Sequence, residues 1–334
     1  VLIFFVEINL KVIKRIFALL TVLSILPFCS NEKKSDIYTV GIFQVNAAPT
    51  LNEVRRGFIQ ALEDANYKDG ENIMILAKNG NGDVSEIQRI AMEFISRKVD
   101  MIVPLSTPCL QAALHATREI PIVFSSVANP YLAGAGVSSE DHLSNVSGVS
   151  SEGPIKQALA MIKEMIPEAE RIGTLWTPSE LNSNYYLELA REGAEELGLD
   201  IVAVPVAKSS EVLLSAQVLI NKKIDVIYQI SDNTINDSFE ALGMVAAENA
   251  VPLFGGFLQS TELGACAALG WDFFNMGYKA GKIALKVKEG ISPENIPFQY
   301  MSNIQLYINL EVAKKQGVDF SEEILKRADK LISQ

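Results

Sequence analysis

Short apolar runs alternate with amphipathic stretches along most of this chain. Residues 38–45 form an apolar run that predicts a strand. Residues 51–65 place Val54, Phe58, Ala61, Leu62 and Ala65 at helical spacing. A second strand is expected at 72–77, followed by turn chemistry at Asn79-Gly-Asn-Gly82. Asp83 or Ser85 then caps a helix with Ile87, Ile90, Phe94 and Ile95 on one face. Runs at 101–105 and 120–125 are further strands, with a helix from about 108 to 117 between them. Four such alternations predict a parallel sheet with helices on both faces.

The pattern breaks over 129–149, a stretch rich in Gly, Ser and Asn that reads as a crossover, and then restarts. Helices are expected at 154–165, 182–197 and 211–220, and strands at 171–176 and 201–206. A strand at 225–230, a helix through 247 and a strand at 251–254 follow. The second half echoes the architecture of the first without repeating its sequence. Beyond it come an apolar run at 265–271, a helix over 272–286, a short strand at 304–308 and terminal helices. The second lobe already has its strands by then, so part of this tail is expected to return to the first lobe. Several crossings between lobes suit a hinge. The expected fold is α/β, with two doubly wound, Rossmann-like parallel-sheet lobes. The expected division is 36–130 plus 272–300 for the N-terminal lobe and 131–271 plus 301–334 for the C-terminal lobe.

The first 35 residues follow another logic. Lys11, Lys14 and Arg15 precede the apolar run 16–26, and Cys29 follows at once. A basic region before a short apolar one marks an export signal, and the run falls short of the ~20 residues that a membrane span needs. Leu26-Pro-Phe-Cys29 resembles a bacterial lipobox, with Phe28 where small residues are usual, so Cys29 is a candidate for lipidation. A cleaved or an uncleaved signal without lipid is the alternative. The polar residues after Cys29 read as a tether.

Composition narrows the chemistry. A formal charge of -11 over 334 residues repels phosphate backbones, so nucleic acid is not an expected partner. The chain has two histidines, His115 and His142, neither near a paired Cys or His. A transition-metal site or a His-based triad is therefore not expected. Cys29, Cys109 and Cys266 form no C-x-x-C pair; Cys109 and Cys266 are read as buried and reduced, with a disulfide as the alternative. Phosphate-loop, dinucleotide, nucleophile-elbow and zinc-protease motifs are all missing from the sequence. No cofactor is expected.

What remains is a set of small polar groups at expected strand ends: Gln44 and Asn46, Ser106 and Thr107, Ser125, Ser126 and Asn129, Asn182 to Asn184, Asp232 to Thr234, and Asp272. Each alone is explained by turn or cap chemistry, and Asp232 or Asn233 would cap the helix after it. Together they describe a hydrogen-bonding shell without a catalytic base, placed where α/β sheets bind ligands. Phe43, Tyr131 and Phe257 are aromatic candidates for stacking on a ligand, with core packing as the competing role.

The order of several stretches adds a family resemblance. These are Gly41-Ile-Phe-Gln44, Val103-Pro-Leu-Ser-Thr107, Ile122-Val-Phe-Ser125, Asn145-Val-Ser-Gly-Val149, Pro178 to Asn184, Ser231-Asp-Asn-Thr234, Gly270-Trp-Asp272, Gly277-Tyr-Lys-Ala-Gly-Lys282 and the segment from Ile308 to Gly317. From about Val40 to Ile332 the chain resembles the ABC-transporter substrate-binding lipoproteins of the tryptophan/tyrosine-binding type, which have the type I periplasmic-binding-protein fold. The resemblance implies an extracytoplasmic, membrane-anchored monomer that is not an enzyme. It would close on an amino-acid-like solute and deliver it to a permease with its ATPase. It also implies roles: Asp232 for the ligand ammonium with Asn233 and Thr234 beside it, and Ser106 and Thr107 for the carboxylate. Asn184 and Asp272 would complete a shell that includes Gln44, Ser125 and Asn129. The chain departs from the family at Ala128-Asn129-Pro130, where an acidic residue usually precedes the proline, and at Gly255-Gly-Phe257, where a Glu is common. A ligand-sensing component working with a separate receptor is the alternative function. A secreted enzyme would need a nucleophile–base pair that the sequence does not display.

Overall fold

The structure is a computed structural model, and it describes residues 37–333. The export signal, the tether and Cys29 lie outside the described residues. The chain runs β1 (Tyr38–Gln44), α1 (Pro49–Asp64), β2 (Ile73–Asn79), α2 (Val84–Ser96), β3 (Met101–Leu105), α3 (Thr107–Ala116), β4 (Ile122–Val127) and β5 (Val146–Ser150). Next come α4 (Ile155–Met165), β6 (Arg171–Trp176), α5 (Leu181–Glu196), β7 (Asp200–Pro205), α6 (Val212–Ile220), β8 (Val226–Gln229), α7 (Asn233–Asn236), α8 (Phe239–Glu248) and β9 (Leu253–Gly255). Last are β10 (Ala267–Gly270), α9 (Phe273–Lys288), β11 (Gln299–Tyr300), β12 (Gln305–Asn309), α10 (Leu310–Lys315), α11 (Glu322–Arg327) and β13 (Lys330–Ile332).

Two sheets result, a six-stranded one in the order β11-β5-β4-β3-β1-β2 and a seven-stranded one in the order β13-β12-β10-β9-β8-β6-β7. Their pairs are parallel except β10 with β12. Central strands such as β3 and β8 are buried along their whole length, as parallel strands covered by helices on both faces must be. That burial is why these strands read as unbroken apolar runs in the sequence.

The lobe boundary expected at 130/131 is corrected by β5. Val146–Ser150 pairs with β4 inside the first sheet, so the first crossing follows Ser150. The second crossing lies between β10 and α9, and the third between β11 and β12.

Helix α9 leaves the second sheet and packs along α1 on the first lobe. The two backbones touch through glycine: a Cβ on Gly277 would fall 1.9 Å from the Val54 carbonyl oxygen, and one on Gly57 would fall 1.9 Å from that of Phe274. Side chains there would drive the helices apart, so the returning segment of the first lobe depends on these glycines. Asp83, rather than Ser85, caps α2, accepting from Ser85 N at 2.8 Å. Cys109 and Cys266 are buried free cysteines, and burial pushes both thiols up to about 12.

Candidate functional site

The carboxyl ends of the strands of both sheets bring polar groups to the gap between the lobes. On the first lobe, Ser106 follows β3 with φ 108° and ψ 160°, a conformation that residues with a Cβ rarely adopt. Such strain persists only where surrounding structure enforces it, and its cost is roughly 1–3 kcal/mol. The hydroxyls of Ser106 and Ser125 are buried without a hydrogen-bond partner, as is Oε1 of Gln44. The Gln44 amide nitrogen is spent locally, donating to Asn46 O at 2.7 Å and Asn52 Oδ1 at 3.0 Å. Thr107 Oγ1 accepts from Ala128 N at 3.4 Å. Asn129 closes a turn, its Oδ1 accepting from the backbone N–H groups of Tyr131 and Leu132 at 3.0 Å each.

On the second lobe the organising group is Glu180, which the sequence reading missed. Its buried carboxylate accepts five hydrogen bonds: from Asn182 Nδ2 (3.0 Å), Asn233 N and Nδ2 (3.3 and 2.6 Å), and Thr234 N and Oγ1 (3.1 and 2.7 Å). Five donors fix one carboxylate, and through it they lock the loop after β6 to the loop after β8. The position carries a faint sequence signal, since Glu at a helix N-cap is unfavourable unless something else needs it.

Of the two expected caps, Asp232 and Asn233, the structure uses Asp232. Asp232 itself caps α7, its Oδ1 accepting from Ile235 N and from Thr177 Oγ1 at 3.0 Å each, while Oδ2 accepts from Thr177 N at 2.9 Å. It is 1% exposed and turned into the lobe. Burial, and then the charge of Glu180, push its pKa from 3.8 up to about 7. Asn184 and Asp272 are likewise committed to local structure. Asn184 donates to Pro178 O (2.9 Å) and Glu180 O (2.8 Å), and Asp272 caps α9 through Asn275. Phe43 packs edge-on against Phe94, Phe257 against Phe239, and Tyr131 stacks with Phe298, so these three aromatics serve the core.

The lobes meet where Asn46 Nδ2 donates to Asn233 O at 2.7 Å. A polar cavity of about 10 Å³, room for roughly one water, lies between the lobes. Thr50, Ser126 and Ser151 face it from the first lobe, and Asn182, Ser231, Asn233 and Asn236 from the second, with the rings of Tyr186 and Phe273 also in the wall. Two acceptors there are buried without a partner, Asn182 Oδ1 and Asn236 Oδ1. The bond from Asn182 Nδ2 to Glu180 fixes which end of that amide is the oxygen. Thr50 also stands in the first turn of α1, which has no side-chain cap and no acidic residue. A second interlobe cavity, of about 360 Å³, sets Val45, Val84, Ile87 and Pro108 against Glu180 and Thr234. Of the residues expected at the site, Ser126, Asn182 and Asn233 line the first cavity and Thr234 the second. No cluster of metal-ligating side chains occurs among the described residues.

Residues 39–332 match the family model for the ABC transporter substrate binding protein. This chain belongs to that family. It is 38% identical over 289 residues to a tyrosine-binding protein of Clostridioides difficile, covering 85% of this chain and 84% of the relative. An ABC domain from Streptococcus pneumonia in complex with L-Trp superposes with a TM-score of 0.82 at 26% identity, over 88% of this chain and all of that one. The ligand-free, open structure of a substrate binding protein with adhesive properties from Clostridium difficile gives 0.66 at 32% identity, over 89% of this chain and all of that one. The open relative is closer in sequence and further in shape. The Asn46–Asn233 hydrogen bond holds the two lobes in contact beside the cavity. The fold is that of the type I periplasmic binding proteins, and the family is one of solute-binding proteins rather than enzymes.

Proposed function

We propose that this substrate-binding protein captures an aromatic amino acid outside the cytoplasm and passes it to an ABC permease and its ATPase. Cys29 would tether a monomer to the membrane through lipid. The carrying observation is the polarity of the interlobe cavity, which differs from one wall to the other. Two buried acceptors without partners, Asn182 Oδ1 and Asn236 Oδ1, stand on the second lobe and suit an ammonium. Hydroxyls of Thr50, Ser126 and Ser151, together with the uncapped first turn of α1, stand on the first lobe and suit a carboxylate. A zwitterion bridging the two walls favours closure, because each lobe supplies half of its hydrogen bonds. The relatives that bind tyrosine and L-Trp support an aromatic side chain, for which Phe273 and Tyr186 offer ring surface. The cavity is smaller than any amino acid, so the bound form holds the lobes further apart than they stand here.

Asp232 then acts behind the site: it fixes the loop carrying Asn233 and does not touch the ammonium. The reading is tested by a thermal-shift screen of residues 37–333 against amino acids and sugars. At a hundredfold excess over Kd, tyrosine or tryptophan should raise Tm by roughly 5 °C. A shift with sugars and none with aromatic amino acids would reject the proposed ligand.

A further inference from the structure

We propose that the cavity at the hinge is a second ligand site, suited to an aromatic α-amino acid, whose occupancy biases the angle between the lobes. The inference goes beyond the reading of the cleft and does not depend on what the cleft holds. The cavity measures about 410 Å³, within the range of small-molecule sites. All three chain crossings contribute to its wall: Gly153 between β5 and α4, Trp271 between β10 and α9, and Met301 and Ile304 between β11 and β12. An occupant therefore touches every segment that must bend when the lobes move. Contacts to these segments that change as the lobes move would shift the populations of the two forms.

The walls define the ligand's chemistry. The Trp271 indole nitrogen is spent on Glu152 O at 2.8 Å, so the ring itself is what remains to offer. Tyr300 and Ile304 keep 39% and 36% of their surface exposed beside it. These groups suit an aromatic ring. At one end, α4 begins at Pro154 with no side-chain cap and no acidic residue in its first turn, and Lys156 stands there, paired with Glu196 at 2.7 Å. That end suits a carboxylate. Also in the wall is Glu152, exposed. Its carboxylate is an anionic group in the wall that also holds Tyr300, whose phenol is raised by burial first and then by the Tyr131 hydrogen bond. An ammonium would meet it there. A ring, a carboxylate and an ammonium on one small molecule describe an aromatic amino acid.

The test is equilibrium dialysis of residues 37–333 with radiolabelled L-tyrosine, read as molecules bound per chain. Two sites are expected in the wild type. Ile304→Trp, which fills the cavity from a partly exposed position, should abolish one site and leave the other. Lys156→Glu should weaken that same site at least tenfold, and Asn236→Ala should weaken only the other. A single site that is lost with Asn236→Ala and untouched by Ile304→Trp overturns the hinge proposal while the cleft reading stands. A single site lost with Ile304→Trp alone supports the hinge and overturns the cleft reading. No bound tyrosine overturns both.

Discussion

The protein is expected to gain stability as the pH falls from about 8 to about 5, and Asp232→Asn is expected to remove most of that gain. The sign follows from the carboxyl group. Asp232 has a folded-state pKa of about 7 against an ordinary value of 3.8, so the folded chain holds a proton that the unfolded chain releases over this window. Its contribution is fully present below 3.8 and is lost as the pH rises through 7. A shift of this size on a fully buried group is worth of the order of a few kcal/mol. The cause is structural: Asp232 caps α7 inside the lobe, with the Glu180 carboxylate as its charged neighbour. A chain with a net charge of -11 also loses self-repulsion on acidification, which adds a trend of the same sign. Urea unfolding of wild type and Asp232→Asn at pH 5 and pH 8 separates the two. Parallel curves for both proteins would show that Asp232 titrates as in the unfolded chain.

The second large effect is expected in ligand affinity. Asn182→Ala and Asn236→Ala should each weaken binding of L-tyrosine by about 10- to 100-fold, the scale of one hydrogen bond to a charged group. Both amide oxygens are buried and unpaired, so a ligand ammonium gains their full hydrogen-bonding capacity instead of replacing an existing partner. Asn182→Ala carries a further consequence, because it removes one of the five donors on Glu180 and loosens the link to Asn233. Its unfolding midpoint should therefore fall as well, whereas Asn236→Ala should change affinity with little change in stability. Titration calorimetry with L-tyrosine and denaturant unfolding measure the two quantities. Unchanged affinity in both variants would remove the ammonium from this wall of the cleft.

The two-lobe architecture was legible because parallel strands buried on both faces leave continuous apolar runs. Strand β5 shows where that signal fails. Val146-Ser-Gly-Val-Ser150 is wholly buried yet half polar. Its serines are satisfied by backbone, Ser147 Oγ donating to Ile296 O at 2.7 Å and Ser150 Oγ to Val127 O and Ala128 O at 3.1 Å. Gly148 is required because a Cβ would fall 2.3 Å from the Phe124 carbonyl. Partners so distant along the chain are invisible to local pattern, and the lobe boundary was misplaced as a result. At the site, the polar strand ends were readable, but the direction of each side chain was not. Asp232 and Asn233 are neighbours on one short stretch. One turns inward to cap α7 and the other faces the cleft. Glu180 went unnoticed because its meaning lies in Asn233 and Thr234, more than fifty residues away.

The most direct test is a crystal structure of residues 37–333 grown with L-tyrosine. The amino acid should lie between the lobes, with its ammonium on Asn182 Oδ1 and Asn236 Oδ1 and its carboxylate among Thr50, Ser126 and Ser151. Tyrosine bound with its ammonium on Asp232, or closed lobes with no amino acid between them, would contradict that account.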